Sequence, residues 1–183
     1  MSKKMEKISV DGDTYARIRF MILDVDGVMT DGAIIYTAEG DELKSFDVKD
    51  GAGIKYWLRV GHGAGIVTGR SSPAVMRRAK ELGIDLVEMN AKNKLPAFRK
   101  ILEKAGVTPE ETVVVGDDLP DYPLVLRAGL GVAVADAVDE VREVADMVTE
   151  KRGGHGAVRE VVERILKAQN RWQDILARYL TAD

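Results

Sequence analysis

The run "FMILDVDGVMTDG" at residues 20–32 places Asp24 and Asp26 directly after an apolar stretch. Side chains two apart on an extended chain share a face, about 7 Å apart along the backbone. Two carboxylates held that close repel unless a cation or a proton lies between them. More polar residues stand where later apolar runs end. "VTGRSS" carries Thr68, Gly69 and Arg70, "GDDLPD" carries Asp117, Asp118 and Asp121, and Asn93 and Lys94 open a helical stretch. Carboxylates from two strand ends make a hard-oxygen pocket suited to Mg2+, which takes one or two protein carboxylates together with phosphate and water. A lysine, a hydroxyl and backbone N–H groups beside such an ion suit a phosphoryl group, whose transfer calls for positioning and charge neutralisation. In that arrangement Asp24 faces the cation and Asp26 is left to move a proton.

Each residue alone says little. An aspartate at a strand end commonly caps the next turn. A Thr-Gly pair closes many strands, and Lys94 alone reads as a solvated helix lysine. "GDDLPD" alone reads as a capping cluster, with Asp118 its structural member. The information lies in the set, in order and each member at a strand end.

Those positions need a scaffold. Strand patterns over 19–24, 63–69, 85–89, 112–117 and 131–136 alternate with helical patterns over 50–60, 72–82, 93–105, 121–128 and 138–145. A last helix is expected from about 156 to 180, with Val158, Val161, Val162, Ile165 and Leu166 on one stripe. Apolar strands alternating with helices predict an α/β fold, a doubly wound (Rossmann-like) parallel sheet that binds ligands beyond its carboxyl edge. Residues 33–46, "AIIYTAEGDELKSF", break the pattern and predict a β-hairpin projecting from that edge. No linker, repeat or low-complexity tract divides the chain, so a single domain over 1–183 is expected, with no cap domain.

The 183 residues, 45% hydrophobic and 31% charged, are those of a globular chain able to bury a core. A net charge of −3 offers no basic field for nucleic acid. There is no cysteine, which excludes disulfides and thiolate metal sites and fits a reducing compartment. No segment reads as a signal peptide or a membrane span, so a cytoplasmic protein with no membrane partner is expected.

"DVDG", "TGR", "NK" and "GDDLPD" resemble the four motifs of the haloacid dehalogenase superfamily of phosphotransferases, over roughly residues 18–169. The longer strings "LDVDGVMTDG", "FDVKDGAGI", "VAVADA" and "GGHGAVREV" are similar to those of the 3-deoxy-D-manno-octulosonate 8-phosphate phosphatase family. The resemblance implies that Asp24 attacks phosphorus to form an aspartyl phosphate. Asp26 would protonate the leaving sugar oxygen and then take a proton from water. Mg2+ would be held by Asp24, the carbonyl of Asp26 and Asp117, with Asp121 bracing the site. Thr68, Gly69 and Lys94 would hold the phosphoryl oxygens. It also implies a homotetramer in which hairpins meet and a neighbour's C-terminal segment helps cover the active site. An exposed hairpin bearing Ile34, Ile35, Tyr36 and Phe46 independently leaves apolar surface and strand edges in need of a partner.

The expected substrate is a small phosphorylated sugar acid. Arg70 matches the octulosonate branch, where relatives acting on nine-carbon ulosonic acid phosphates carry glutamate. Its planar fork suits a carboxylate. Arg78 corresponds to a family arginine directed at a neighbouring subunit's site, and equally reads as a solvated helix residue. Lys49 and Asp50 are further substrate-positioning candidates. His155 departs from the family, which carries arginine or lysine there, and histidine is a weak anion contact above its ordinary pKa of about 6.5. Three other readings stay open. They are a phosphatase for a nine-carbon ulosonic acid phosphate, a broad sugar phosphatase, and a phosphoacceptor signalling domain with a similar acidic pocket. The acidic pair opens the domain here, whereas signalling domains place the phosphoaccepting aspartate on a later strand.

Overall fold

In a computed structural model, which describes residues 12–180, β1 (Phe20–Leu23) lies inside a six-stranded parallel sheet. On one side of it come β4 (Gly63–Val67) and β5 (Leu86–Glu88). On the other come β6 (Thr112–Gly116), β7 (Leu130–Ala133) and β8 (Met147–Val148). Strands buried on both faces read as continuous apolar runs, and all four residues of β1 are buried. Leu23 is level with Ile66 on β4 and Val115 on β6. The next residue, Asp24, therefore leaves the sheet where the strand order reverses, the place where doubly wound sheets bind ligands.

Two short strands, β2 (Ile35–Tyr36) and β3 (Glu42–Leu43), pair separately as the expected antiparallel hairpin. Its turn is closed by Thr37 N–H donating to the Asp41 carbonyl at 2.9 Å, with Gly40 at φ +92°. The chain then enters α2 (Val48–Arg59), whose start is fixed by Asp47: its carboxylate accepts from the N–H groups of Lys49 and Asp50. The helix after β4 is α3 (Pro73–Leu82), and the one after β5 is α4 (Lys94–Ala105), capped by Asn93. α5 (Tyr122–Val125), α6 (Asp139–Val144) and α7 (Ala157–Ala168) follow. α2 packs on α7, while α4 contacts α5 and α5 contacts α6. Trp57 of α2 is fully buried and donates to the Gly63 carbonyl at 2.7 Å. Burial of a large side chain of this kind stabilises by about 1.5–3 kcal/mol.

The sequence patterns miss α1 (Gly12–Arg17) and β8, both too short to show a period. The expected helix over 121–128 is shorter in the structure, ending at Val125. The long final helix over 156–180 is in fact two, α7 and α8 (Trp172–Leu180). The break falls at Asn170, which adopts φ +57°. Arg171 N–H then bonds the Leu166 carbonyl at 2.8 Å, a left-handed helix ending that asparagine tolerates. α8 returns to α2, where the Tyr179 and Tyr56 hydroxyls lie 2.9 Å apart and Trp172 meets Tyr56 edge-on. No helix of the described residues is long and apolar enough to cross a membrane.

Candidate active site

The carboxyl edge brings four of the expected side chains into direct contact. Asp24, Asp117 and Asp121 offer oxygens that all lie within 4.8 Å of one another. Lys94, from the first turn of α4, reaches Asp24 Oδ1 at 2.6 Å and Asp121 Oδ1 at 2.7 Å. Each is placed by its strand or helix start. Asp24 N–H continues the β1–β6 ladder by donating to Val115 O at 3.2 Å. Asp117 follows β6 directly, and Asp121 folds back beneath it, its Oδ2 accepting from Asp117 N–H at 3.4 Å. That approach requires glycine at 116, since a Cβ there would lie 2.4 Å from Cβ of Asp121. Asp118 points outward and accepts from Leu119 N–H, the structural role expected of it.

The electrostatics of this group are unbalanced. Burial, and then the charge of Asp121, push Asp24 up to about 7 despite Lys94. Burial, Asp24 and Asp121 push Asp117 up to about 8. Burial pulls Lys94 down, but the charges of Asp24 and Asp121 outweigh it and hold the ammonium above the ordinary lysine value. One buried ammonium facing three carboxylates leaves negative charge that a divalent cation would relieve. An all-oxygen donor set of carboxylates at a strand edge matches Mg2+. The residues present fit that ion.

Thr68 is buried immediately after β4, beside β1, and its hydroxyl oxygen accepts from Arg70 N–H at 3.4 Å. Gly69 is open, with nothing nearer than the Ala91 carbonyl at 4.0 Å from where a Cβ would stand. Asp26 meets the hairpin, where its carboxylate pairs with Lys44 and lies 3.8 Å from Arg70 Nε. Arg70 in turn binds Glu42 Oε2 and the Tyr36 hydroxyl. Its hydrogen bonds to Glu42 and then to Tyr36 hold the guanidinium above the ordinary arginine value, and Arg70 holds Glu42 below the usual carboxylate range. Lys44 and Glu42 are absent from the sequence reading. They look like solvated hairpin charges until the hairpin folds over the edge of the sheet.

The remaining substrate candidates do not join this group. Lys49 is exposed in the first turn of α2. Arg78 packs on its own chain: it lies over the Phe46 ring and donates to the Asp47 carbonyl at 3.5 Å, with Glu81 also 3.4 Å away. Asp50 is buried, and its carboxylate accepts from Arg159 N–H at 2.7 Å and Gly156 N–H at 3.2 Å. It therefore ties the start of α7 to α2, and burial pushes it up to about 6 against those hydrogen bonds. The same C-terminal loop is clamped to the active-site loop, since Gly154 N–H donates to Val28 O at 2.9 Å. A Cβ at Gly153 would stand 1.7 Å from the Gly27 carbonyl oxygen. His155 on that loop is exposed.

Comparison with known proteins agrees with this geometry. The family model of haloacid dehalogenase-like hydrolases matches residues 87–161. The chain is 46% identical over 165 residues to the 3-deoxy-D-manno-octulosonate 8-phosphate phosphatase KdsC of Escherichia coli K12, covering 88% of each. The KdsC of Haemophilus influenzae is 42% identical over 154 residues, 84% of this chain and 86% of the relative. Among solved structures, the 3-deoxy-D-manno-octulosonate 8-phosphate phosphatase of Moraxella catarrhalis, in complex with magnesium, phosphate and KDO, superposes with a TM-score of 0.89. It is 43% identical, covering 92% of this chain and 97% of that one. Sheet, acidic cluster and relatives converge: the chain belongs to the 3-deoxy-D-manno-octulosonate 8-phosphate phosphatase family of haloacid dehalogenase-like hydrolases.

Proposed function

We propose that this protein is a Mg2+-dependent phosphatase that hydrolyses 3-deoxy-D-manno-octulosonate 8-phosphate to the free sugar acid and phosphate, in lipopolysaccharide sugar biosynthesis. The observation that carries the reading is Asp24, at the end of β1, in contact with Lys94 and clustered with Asp117 and Asp121. An Asp24 oxygen attacks phosphorus as the bond to the sugar oxygen breaks, giving an aspartyl phosphate. Asp26 donates a proton to that leaving oxygen, then takes one from the water that attacks the aspartyl phosphate. Phosphate leaves and Asp24 is regenerated. Lys94, the Thr68 hydroxyl and the backbone after it hold the phosphoryl oxygens in both steps. Asp24, the Asp26 carbonyl and Asp117, with Asp121 bracing them, would hold Mg2+, which would supply the charge neutralisation that keeps Asp24 ionised.

Arg70 selects the substrate. Its side chain is 41% exposed, which leaves it open to a carboxylate beyond Glu42. Glutamate at this position would favour the nine-carbon substrate, and arginine argues against it. The chain works as one domain in the cytoplasm. Ile34, Ile35, Tyr36 and Leu43 of the hairpin are 47–60% exposed, an apolar surface that supports a homotetramer meeting through its hairpins. Phosphate release in Mg2+ from the eight-carbon phosphate, its nine-carbon analogue and hexose phosphates tests the substrate assignment. A strong preference for the eight-carbon substrate is expected, and equal turnover of all three overturns it.

A further inference from the structure

A buried ammonium on a two-stranded hairpin is unusual, because hairpin lysines ordinarily reach solvent. The Lys44 side chain is 1% exposed. Two carboxylates compensate it: Asp26 Oδ1, in direct contact, and Glu42 Oε1 at 3.3 Å. Glu42 is itself held by Arg70, which lies 3.8 Å from the other oxygen of Asp26. The four side chains form a closed square of alternating charge. Two corners, Glu42 and Lys44, come from the hairpin, one from the loop after β1 and one from the loop after β4.

We propose that Lys44 is a positioning residue for the proton-transfer step: by anchoring Asp26 Oδ1 it leaves Oδ2 aimed at the leaving sugar oxygen. The proposal rests on Asp26 being the proton donor. A carboxylate on a short loop has free rotation about its side chain, and general acids contribute only when held within hydrogen-bond reach of the leaving group. Lys44 removes that freedom without touching substrate. The hairpin thereby contributes to the chemistry of the site as well as to its outer surface. Glu42 offers the Lys44 ammonium a second negative charge at 3.3 Å, so the anchor persists while the Asp26 proton moves.

Leaving-group dependence separates this role from a merely structural one. A sugar alkoxide needs the proton from Asp26, whereas p-nitrophenolate departs with little help. Asp26 also serves the later hydrolysis, which is the same for every substrate, so the readout is the single-turnover rate of leaving-group release. In the Mg2+-loaded full-length protein Lys44→Met is expected to slow it about tenfold to a hundredfold for the sugar phosphate. The loss on p-nitrophenyl phosphate should be no more than about threefold. Lys44→Arg, which keeps the charge, should recover most of the difference. An Asp26→Asn variant, run alongside, must show the same selective loss. Equal losses on both substrates for Lys44→Met, or none on either, with Asp26→Asn selective, overturn the role of Lys44 alone. Equal losses for Asp26→Asn overturn the proton-donor assignment and the proposal with it.

Discussion

At Asp24, burial and neighbouring charge act against the ionised form that the chemistry needs. Lys94 offsets only part of this, and Asp24 stands near 7 and Asp117 near 8 without a metal. Both values lie above the roughly 4 expected of the unfolded chain. The folded, metal-free protein therefore binds more protons than the unfolded one between those limits. The stability these groups contribute is complete below about pH 4 and is lost as pH rises through 7 and 8. Metal-free protein should melt at lower temperature at pH 8.5 than at pH 6. Added Mg2+ should raise the melting temperature more at the higher pH, and calorimetry in both buffers checks this. Arg70 gives a second prediction at this scale. Arg70→Ala should raise KM for the carboxylate-bearing substrate by about tenfold or more, the value of a charge-assisted hydrogen bond, and change hexose phosphates far less. Steady-state kinetics on both substrates would show it.

Elements decide which of these residues meet. The strand ends, with Asp24, Thr68, Asp117 and Asp121, were legible because apolar runs ending in polar residues mark the carboxyl edge of a parallel sheet. The hairpin was legible from its turn, yet its contribution to the site was not. Lys44 meets Asp26 only after the hairpin closes over the edge, and nothing local to "DELKSF" distinguishes that lysine from a solvated one. Asp50 shows the converse. Its place within the "VKDG" string made it look like a substrate contact, while the fold uses it to hold the start of α7. The break after α7 left a local sign in Asn170, a residue that accepts positive φ, but the apolar stripe on either side suggested one long helix. The C-terminal loop has a steric logic that tests well. Because a Cβ at Gly153 meets the Gly27 carbonyl, Gly153→Ala should cost about 1–3 kcal/mol in urea unfolding and lower activity by displacing the loop beside Asp26. Gly61→Ala is no equivalent control, since Gly61 adopts φ +91°. Gly12, which has ordinary φ and open space around it, should tolerate alanine.

For the whole molecule, the sheet presents its catalytic edge without an inserted cap, and the hairpin beside that edge exposes apolar side chains. The α8 segment does not extend outward; it docks on α2 of its own chain through Tyr56, Trp172 and Tyr179. Assembly through the hairpins predicts a particle of four times the 20.0 kDa chain mass by light scattering. Replacing Ile35 and Tyr36 with lysine and glutamate should break it into smaller species. The central claim is that Asp24 itself takes the phosphoryl group. The most direct measurement is to mix Mg2+-loaded enzyme with 3-deoxy-D-manno-octulosonate 8-phosphate, quench within a turnover, reduce with borohydride and map the peptides by mass spectrometry. An aspartyl phosphate is reduced to homoserine, so the account predicts homoserine at position 24 and nowhere else. Phosphate release with position 24 unchanged, or with another carboxylate reduced in its place, would contradict it.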